Sequence, residues 1–405
     1  MKTTDETETT GGGLRLAILA AVVIGLGLRF GLAVILIIAS LIVMIFLHEL
    51  GHYITAKAAG MKVTEFFLGF GPKIWSFRRG ETEYGVKAIP AGAYVKIIGM
   101  SNLDEVDPVD EERTYRAKPY WRRLSVAVAG STMHFILAFA LALVVFLGFG
   151  TADPDSDNWS LRTVSGPAQE AGLQSGDRID SIDGRHFANF DAMSAYIRSK
   201  PGGDVEVVVN RDGDARSFRV PLAEENPDGE RVGYLGVSPH FEMQRAGLVE
   251  GAGDSVREFG RIAKGSVVGL GRLFSPDGFN GYVDHLTGEE KTKTGPGRFE
   301  DRPTSVVGIV QVGDQLAKNG LVQVVYLMFA VNVFIGLFNL TPLLPFDGGH
   351  VAIATYEKIR SMISGRRYYA DVAKLMPLAY AVVLVLALLF VTTIYLDIVR
   401  PVDLG

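Results

Sequence analysis

Two histidines four residues apart, with a glutamate after the first, stand at His48-Glu49-Leu50-Gly51-His52. On a helix, positions i and i+4 share a face, so both imidazoles can reach one metal ion. Glu49 then lies beside that ion, where a carboxylate can take a proton from a water that the metal activates. The chain holds 7 histidines and no cysteine. That excludes disulfides and thiolate ligands, so a metal must rest on His, Asp or Glu, and Zn2+ is the ion predicted. The plain alternative is a buried polar cluster at a helix end. It is disfavoured because ionisable groups abutting an apolar run are costly unless something binds them.

A catalytic zinc needs a third protein ligand. One protease class extends the motif with Gly at position 55 and His at 58; here stand Thr55 and Ala58. Glu65, Glu81 and Glu83 fall in what reads as loop and strand, and Glu357 lies past the third apolar run. Asp347 is the better candidate. It follows Asn339-Leu340-Thr341-Pro342-Leu343-Leu344-Pro345-Phe346 and precedes Gly348-Gly349-His350. Two prolines there interrupt an apolar run, and irregular backbone at membrane depth is tolerated where it is buried or lines a wet cavity. His350 competes for the role, and Asp347 could instead cap the helix that follows.

The elements that must position these groups are apolar. Of the 405 residues, 48% are hydrophobic and the mean hydropathy is +0.22. Phe30–Leu47, Asn319–Phe346 and Leu375–Leu396 carry no ionisable residue, and Leu124–Ala152 carries His134 alone. About 20 such residues cross a bilayer. Leu16–Leu28 is shorter, so four to five spans are predicted, with no removable leader. Twelve Lys and Arg between Tyr53 and Arg123, and five between Lys358 and Lys374, put both loops in the cytoplasm. The long stretch Asp153–Lys318 then lies on the far side. A net charge of −5 offers no basic field for nucleic acid.

The two motifs together, on separate spans, resemble the site-2 protease family of intramembrane zinc metalloproteases. Gly69-Phe70-Gly71-Pro72-Lys73-Ile74-Trp75-Ser76-Phe77-Arg78-Arg79-Gly80, Thr82-Glu83-Tyr84-Gly85 and Ala88-Ile89-Pro90-Ala91-Gly92-Ala93-Tyr94-Val95 resemble its bacterial branch. The resemblance implies zinc on His48, His52 and Asp347, with Glu49 catalytic. It implies regulated cleavage of a single-span membrane protein, such as an anti-sigma factor, already trimmed by a site-1-type protease. Where the family's second span often reads Gly-Pro-x-x-Asn, this chain has Gly130-Ser131-Thr132-Met133-His134. His134 reads here as a helix-interface histidine hydrogen-bonded to a neighbour.

Pro167–Asp177 resembles the helix and turn of a PDZ domain, and Gly233-Tyr234-Leu235-Gly236 its carboxylate-binding loop. The loop comes last, as in the circularly permuted bacterial form. Such a groove binds a chain end by strand addition, or the domain simply filters substrates by size. Met61–Met100 predicts a small sheet with strands at Lys73–Phe77, Glu83–Ala88 and Tyr94–Ile98, offering an edge to an unwound substrate. Asn339 could bond a freed backbone group of that substrate or end its own helix.

The predicted architecture is a polytopic α-helical membrane protein with a cytoplasm-side β insertion and one extracytoplasmic α+β PDZ domain. Its segments are a polar, disordered tail (1–13), an apolar piece and first catalytic span (14–58), the β segment (59–121) and a second span (122–152). Then come the PDZ domain (153–240), an amphipathic helix and loop (241–318), a third span (319–350), a cytoplasmic helix or loop (351–374) and the last span (375–405). The amphipathic part is Ala252–Phe274, with loop over Ser275–Thr304, and membrane lipid is the expected surroundings. Two other readings stand beside this one. One is a membrane-anchored zinc protease acting on soluble or misfolded proteins. The other is a non-catalytic PDZ scaffold, against which Glu49 argues, since a structural metal needs no base.

Overall fold

The computed structural model describes residues 31–100, 103–152, 159–227, 229–241, 243–287, 303–318 and 320–402, and before Gly31 the two residues Ala21 and Gly25. The expectations for 1–13 and, save those two residues, for Leu16–Leu28 lie outside the described residues. Two compact units result: 31–142 with 255–287 and 303–402, and 143–254.

In the first unit, α1 (Leu32–Ala58) begins in charge-free aliphatic sequence and ends just before Gly60, whose φ of +70° few other residues adopt. Two strands follow, β1 (Val63–Arg79) and β2 (Thr82–Ile97). Both fold back on themselves. Glu65–Leu68 pairs with Ala93–Lys96 on one side and with Glu83–Val86 on the other, and Lys73–Arg79 pairs with Thr82–Lys87. The result is four antiparallel ribbons in the order 93–97, 63–68, 83–87, 73–79. The sequence reading lacks the second of these, because Val63-Thr64-Glu65-Phe66-Phe67-Leu68 shows no polar–apolar alternation; it is paired on both edges.

Next come α2 (Tyr120–Ala127), opened by Pro119, and α3 (Ala129–Leu143), which runs on through a π-helical turn to Phe149. The second unit is α+β, with every strand pairing antiparallel. It contains β3 (Thr151–Ala152), β4 (Trp159–Val164), α4 (Gly166–Glu170), β5 (Arg178–Ile182), α5 (Phe190–Arg198), β6 (Asp204–Arg211), β7 (Asp214–Pro221), β8 (Val237–Phe241) and β9 (Met243–Gln244). β5, β6 and β7 form one sheet, and β4 pairs with β8. The alternate residues Val205, Val207 and Val209 of β6 meet Ile182, Leu161, Met193 and Leu235 in the core.

The chain returns through α6 (Leu248–Leu273) and α7 (Pro276–Thr287). Composition predicts loop at α7, but Pro276 sits in a first helical turn and Ser275 Oγ accepts from Gly278 N at 3.1 Å. A further helix, α8 (Val306–Lys318), lies just past the expected loop, in a stretch given no element of its own from sequence. Its start is held by the Asp397 carboxylate, which accepts from Ser305 N at 2.8 Å and Gly308 N at 3.2 Å. Then come α9 (Leu321–Asn339), α10 (Asp347–Ser364) and α11 (Met376–Val399). Among the described residues, four helices are long and apolar enough to cross a membrane: Ala33–Ala58, Ala129–Phe149, Leu321–Asn339 and Val372–Val399.

Candidate functional site

His48 and His52 lie one turn apart near the C-terminal end of α1. α9 stops at Asn339, the proline-broken turn follows, and Asp347 opens α10. The turn closes tightly on α10: a Cβ on Gly348 would lie 2.2 Å from Leu340 O, and one on Gly349 2.7 Å from Leu344 N. Only glycine fits there, so the turn carries Asp347 back to α1.

Three atoms meet. His48 Nε2 and His52 Nε2 are 3.2 Å apart, and Asp347 Oδ2 lies 3.5 Å from the first and 3.2 Å from the second. Ligands about 2.0–2.2 Å from a tetrahedral zinc stand roughly 3.3–3.6 Å from one another, so the triangle is the right size. The donor set is also right, two imidazoles and a carboxylate. The side chains are largely buried, 12% exposed for each histidine and 19% for Asp347. Asp347 Oδ2 is buried without a hydrogen-bond partner, and Asp347 does not cap α10, whose N-cap is Phe346. An acceptor left bare beside two imidazole nitrogens suits a cation. These residues could hold a metal.

The surroundings orient the ligands. His52 Nδ1 lies 2.7 Å from Val126 O on α2, to which it donates, leaving the Nε2 lone pair for the metal. His48 lies flat against Gly130 of α3, where a Cβ would come 2.2 Å from its Cε1. Glu49 reaches toward the backbone N–H of Val95 on β2. Val126 does not announce itself in sequence, and Gly130 does so only as the glycine of the second-span motif, without its place against His48.

The other candidates stand outside the triangle, although the His134 ring lies 5.0 Å from that of His48. His350 meets the Tyr115 ring edge-on at 6.3 Å. Glu357 is tied to Arg123 at 2.5 Å and to Ala370 N at 2.7 Å. His134 Nδ1 lies 3.1 Å from Asn332 Oδ1, and both side chains are buried. Asn332 Nδ2 donates to Met328 O, so Oδ1 is the acceptor and His134 Nδ1 carries the proton. Asn339 is the last residue of α9 and half-buried, with no hydrogen bond from its side chain among the described residues.

In the second unit, Gly233, Tyr234, Leu235 and Gly236 line a groove of about 360 Å³ with α5. Gly233 N is spent on Arg198 O and Tyr234 N on Ala223 O. The N–H groups of Leu235 and Gly236 make no backbone bond among the described residues.

Comparison with known proteins accords with the geometry. The profile of peptidase family M50 matches residues 36–386. The zinc metalloprotease Rip1 of Mycolicibacterium smegmatis is 31% identical over 93% of this chain and 100% of its own length. Rip1 of Mycobacterium tuberculosis is 32% identical over the same shares of the two chains. A solved PDZ domain from Listeria monocytogenes covers 22% of this chain and 92% of its own at 20% identity, with a TM-score of 0.19, a likeness too slight to argue from.

Proposed function

The chain belongs to peptidase family M50, the site-2 type of zinc metalloprotease, and from that membership we propose that it hydrolyses a peptide bond within the transmembrane segment of a single-span membrane protein. The observation that carries this reading is the triangle of His48 Nε2, His52 Nε2 and Asp347 Oδ2, with both histidines on one apolar helix and Asp347 just past another. The fit of those atoms supports zinc on His48, His52 and Asp347. Zinc supplies Lewis acidity there, bringing a water's pKa to about 7 and polarising the scissile carbonyl.

The chain's own residues do the rest. Glu49 takes the proton from the attacking water and passes it to the departing amine as the C–N bond breaks. Val95 N–H steadies the Glu49 carboxylate. Val126 O keeps His52 in the tautomer that leaves Nε2 free. A substrate helix must unwind before attack, and its freed backbone groups need partners. The ribbon at 93–97, outermost in its sheet, offers strand addition beside Glu49, and the free amide of Asn339 offers another hydrogen bond.

In this reading the metal site lies toward the cytoplasm, beside the basic loops, and the second unit lies outside the cell membrane. The unit works as a PDZ domain. The free N–H groups of Leu235 and Gly236 suit a carboxylate, so the groove would receive the chain end left by a site-1-type protease. An anti-sigma-factor-like protein is the proposed substrate class.

Glu49→Gln tests the chemistry. The purified variant should keep one zinc per chain and bind a truncated single-span substrate, yet lose cleavage by about 10³-fold or more. Normal cleavage by that variant would overturn the role of Glu49. Loss of zinc from the wild type without loss of cleavage would overturn the whole reading.

A further inference from the structure

The first residue of α10 is a candidate ligand, but the last two turns of the helix serve no part of the site. Their inner face packs through Ala354 and Glu357, the latter tied to Arg123 of α2. Their outer face is apolar and bare. Tyr356, Ile359 and Ile363, at i, i+3 and i+7, form one stripe and are 48%, 51% and 76% exposed. Met362, 70% exposed, widens it. Lys358 borders the stripe on one side and Arg360 on the other, and Arg366 follows just past the helix end. None of the three pairs with a carboxylate among the described residues, and Arg360 rests on the Tyr368 ring at 5.3 Å. The one carboxylate of α10 beyond Asp347 is Glu357, which is buried.

We infer that this outer face of α10 seats on the surface of a bilayer containing anionic phospholipid. Two features of the chain identify that occupant. First, α10 ends at Ser364 and the apolar helix that could cross the membrane begins at Val372, so seven residues separate them. The end of α10 is therefore held near the boundary between lipid and water. Secondly, the face has the composition of an interfacial helix, apolar along its middle with cations at its margins and no exposed acid. Long Lys and Arg side chains can lay their stems on lipid and raise their charges to the headgroups. Each cation near such a surface is worth about a fivefold preference. α10 spans 18 residues from Asp347 to Ser364, roughly 27 Å of rigid rod. Seating its far end thus sets the depth and tilt of the element that presents Asp347.

The absence of cysteine makes the test direct, because one introduced thiol takes a spin label alone. Full-length Ile363→Cys, and separately Tyr356→Cys, would be labelled and reconstituted in vesicles of phosphatidylcholine with or without phosphatidylglycerol. Collisions with dissolved oxygen report lipid, and those with a nickel chelate report water. Both labels should favour oxygen in the phosphatidylglycerol vesicles. That preference should fall at least threefold without phosphatidylglycerol, and equally in Lys358→Gln/Arg360→Gln/Arg366→Gln. Water contact in every vesicle would overturn the inference, as would immersion indifferent to phosphatidylglycerol and to the three cations. Spin–spin broadening relieved by dilution with unlabelled protein would also overturn it, by showing that a second copy covers the face.

Discussion

A methyl group is enough to test the geometry around the candidate metal ligands. Gly130 has no side chain where the His48 ring passes, and a Cβ there would lie 2.2 Å from ring carbon and 2.5 Å from both ring nitrogens. The neighbour is backbone-anchored on α1, so the ring must swing away. Gly130→Ala should therefore lower zinc affinity by at least tenfold while leaving the helical circular dichroism unchanged; metal analysis against a chelator series measures it. Retention of wild-type affinity would mean that His48 is not bound in this rotamer. The sequence exposes His48, Glu49 and His52 because their relation is local, one helical turn. Asp347 is legible for another reason: two prolines and two glycines bracket it within apolar sequence, a pattern that plain packing does not explain. The roles of Val126, Gly130 and Asn332 are not legible, because an orienting carbonyl, a missing methyl and a partner for His134 follow from which helices touch.

The same contrast holds between elements. α2 carries the carbonyl that orients His52, α10 carries Asp347, and the buried pair Arg123–Glu357 joins them. Glu357 also accepts from Ala370 N, and Arg123 stacks over the Tyr115 ring at 4.9 Å. Removing one partner of a buried ion pair strands the other's charge and costs about 3–5 kcal/mol, whereas apolar replacement of both is often near neutral. Glu357→Met and Arg123→Met should each lower the thermal unfolding midpoint in detergent clearly more than the double variant does. Equal additive losses would mean that the two groups do not depend on each other. Charge alone could not assign this pairing, since twelve Lys and Arg lie between Tyr53 and Arg123. The apolar spans, by contrast, are plain in sequence, because a long run without charge has few other uses. α8 was hidden because its start is capped from afar by Asp397, and Val63–Leu68 because a ribbon paired on both sides shows no alternation.

At the scale of the whole molecule, the two units rest on different physics. The first exposes apolar helices and buries a few polar groups, Arg123, His134, Asn332, Glu357 and Asp397 among them. The second has an ordinary aqueous design, with a valine-rich core and charges on its turns, so acid should reach it selectively. Asp183 sits at a tight turn with φ of +52°, a conformation that Asp and Asn tolerate best. Its carboxylate accepts from Lys200 Nζ at 2.6 Å, Tyr196 OH at 2.8 Å and Glu206 N at 2.8 Å. The bond from Lys200, ahead of those from Glu206 and Tyr196, holds its pKa down at about 2. Asp177 is shifted the same way: burial pushes its carboxyl up, but the two-pronged bond from Arg211 outweighs this. A carboxyl depressed in the folded state contributes fully above its unfolded value near 3.8 and loses that contribution as pH falls toward 2. Amide protection factors over residues 159–241, each taken against the intrinsic exchange rate at the same pH, should thus hold steady from neutral pH to about 4 and fall below it, relative to the apolar helices. Asp183→Asn keeps the turn conformation and removes the charge. It should be less protected at neutral pH and show a shallower acid dependence. If the variant follows the wild-type curve throughout, the Lys200 bond does not stabilise the turn.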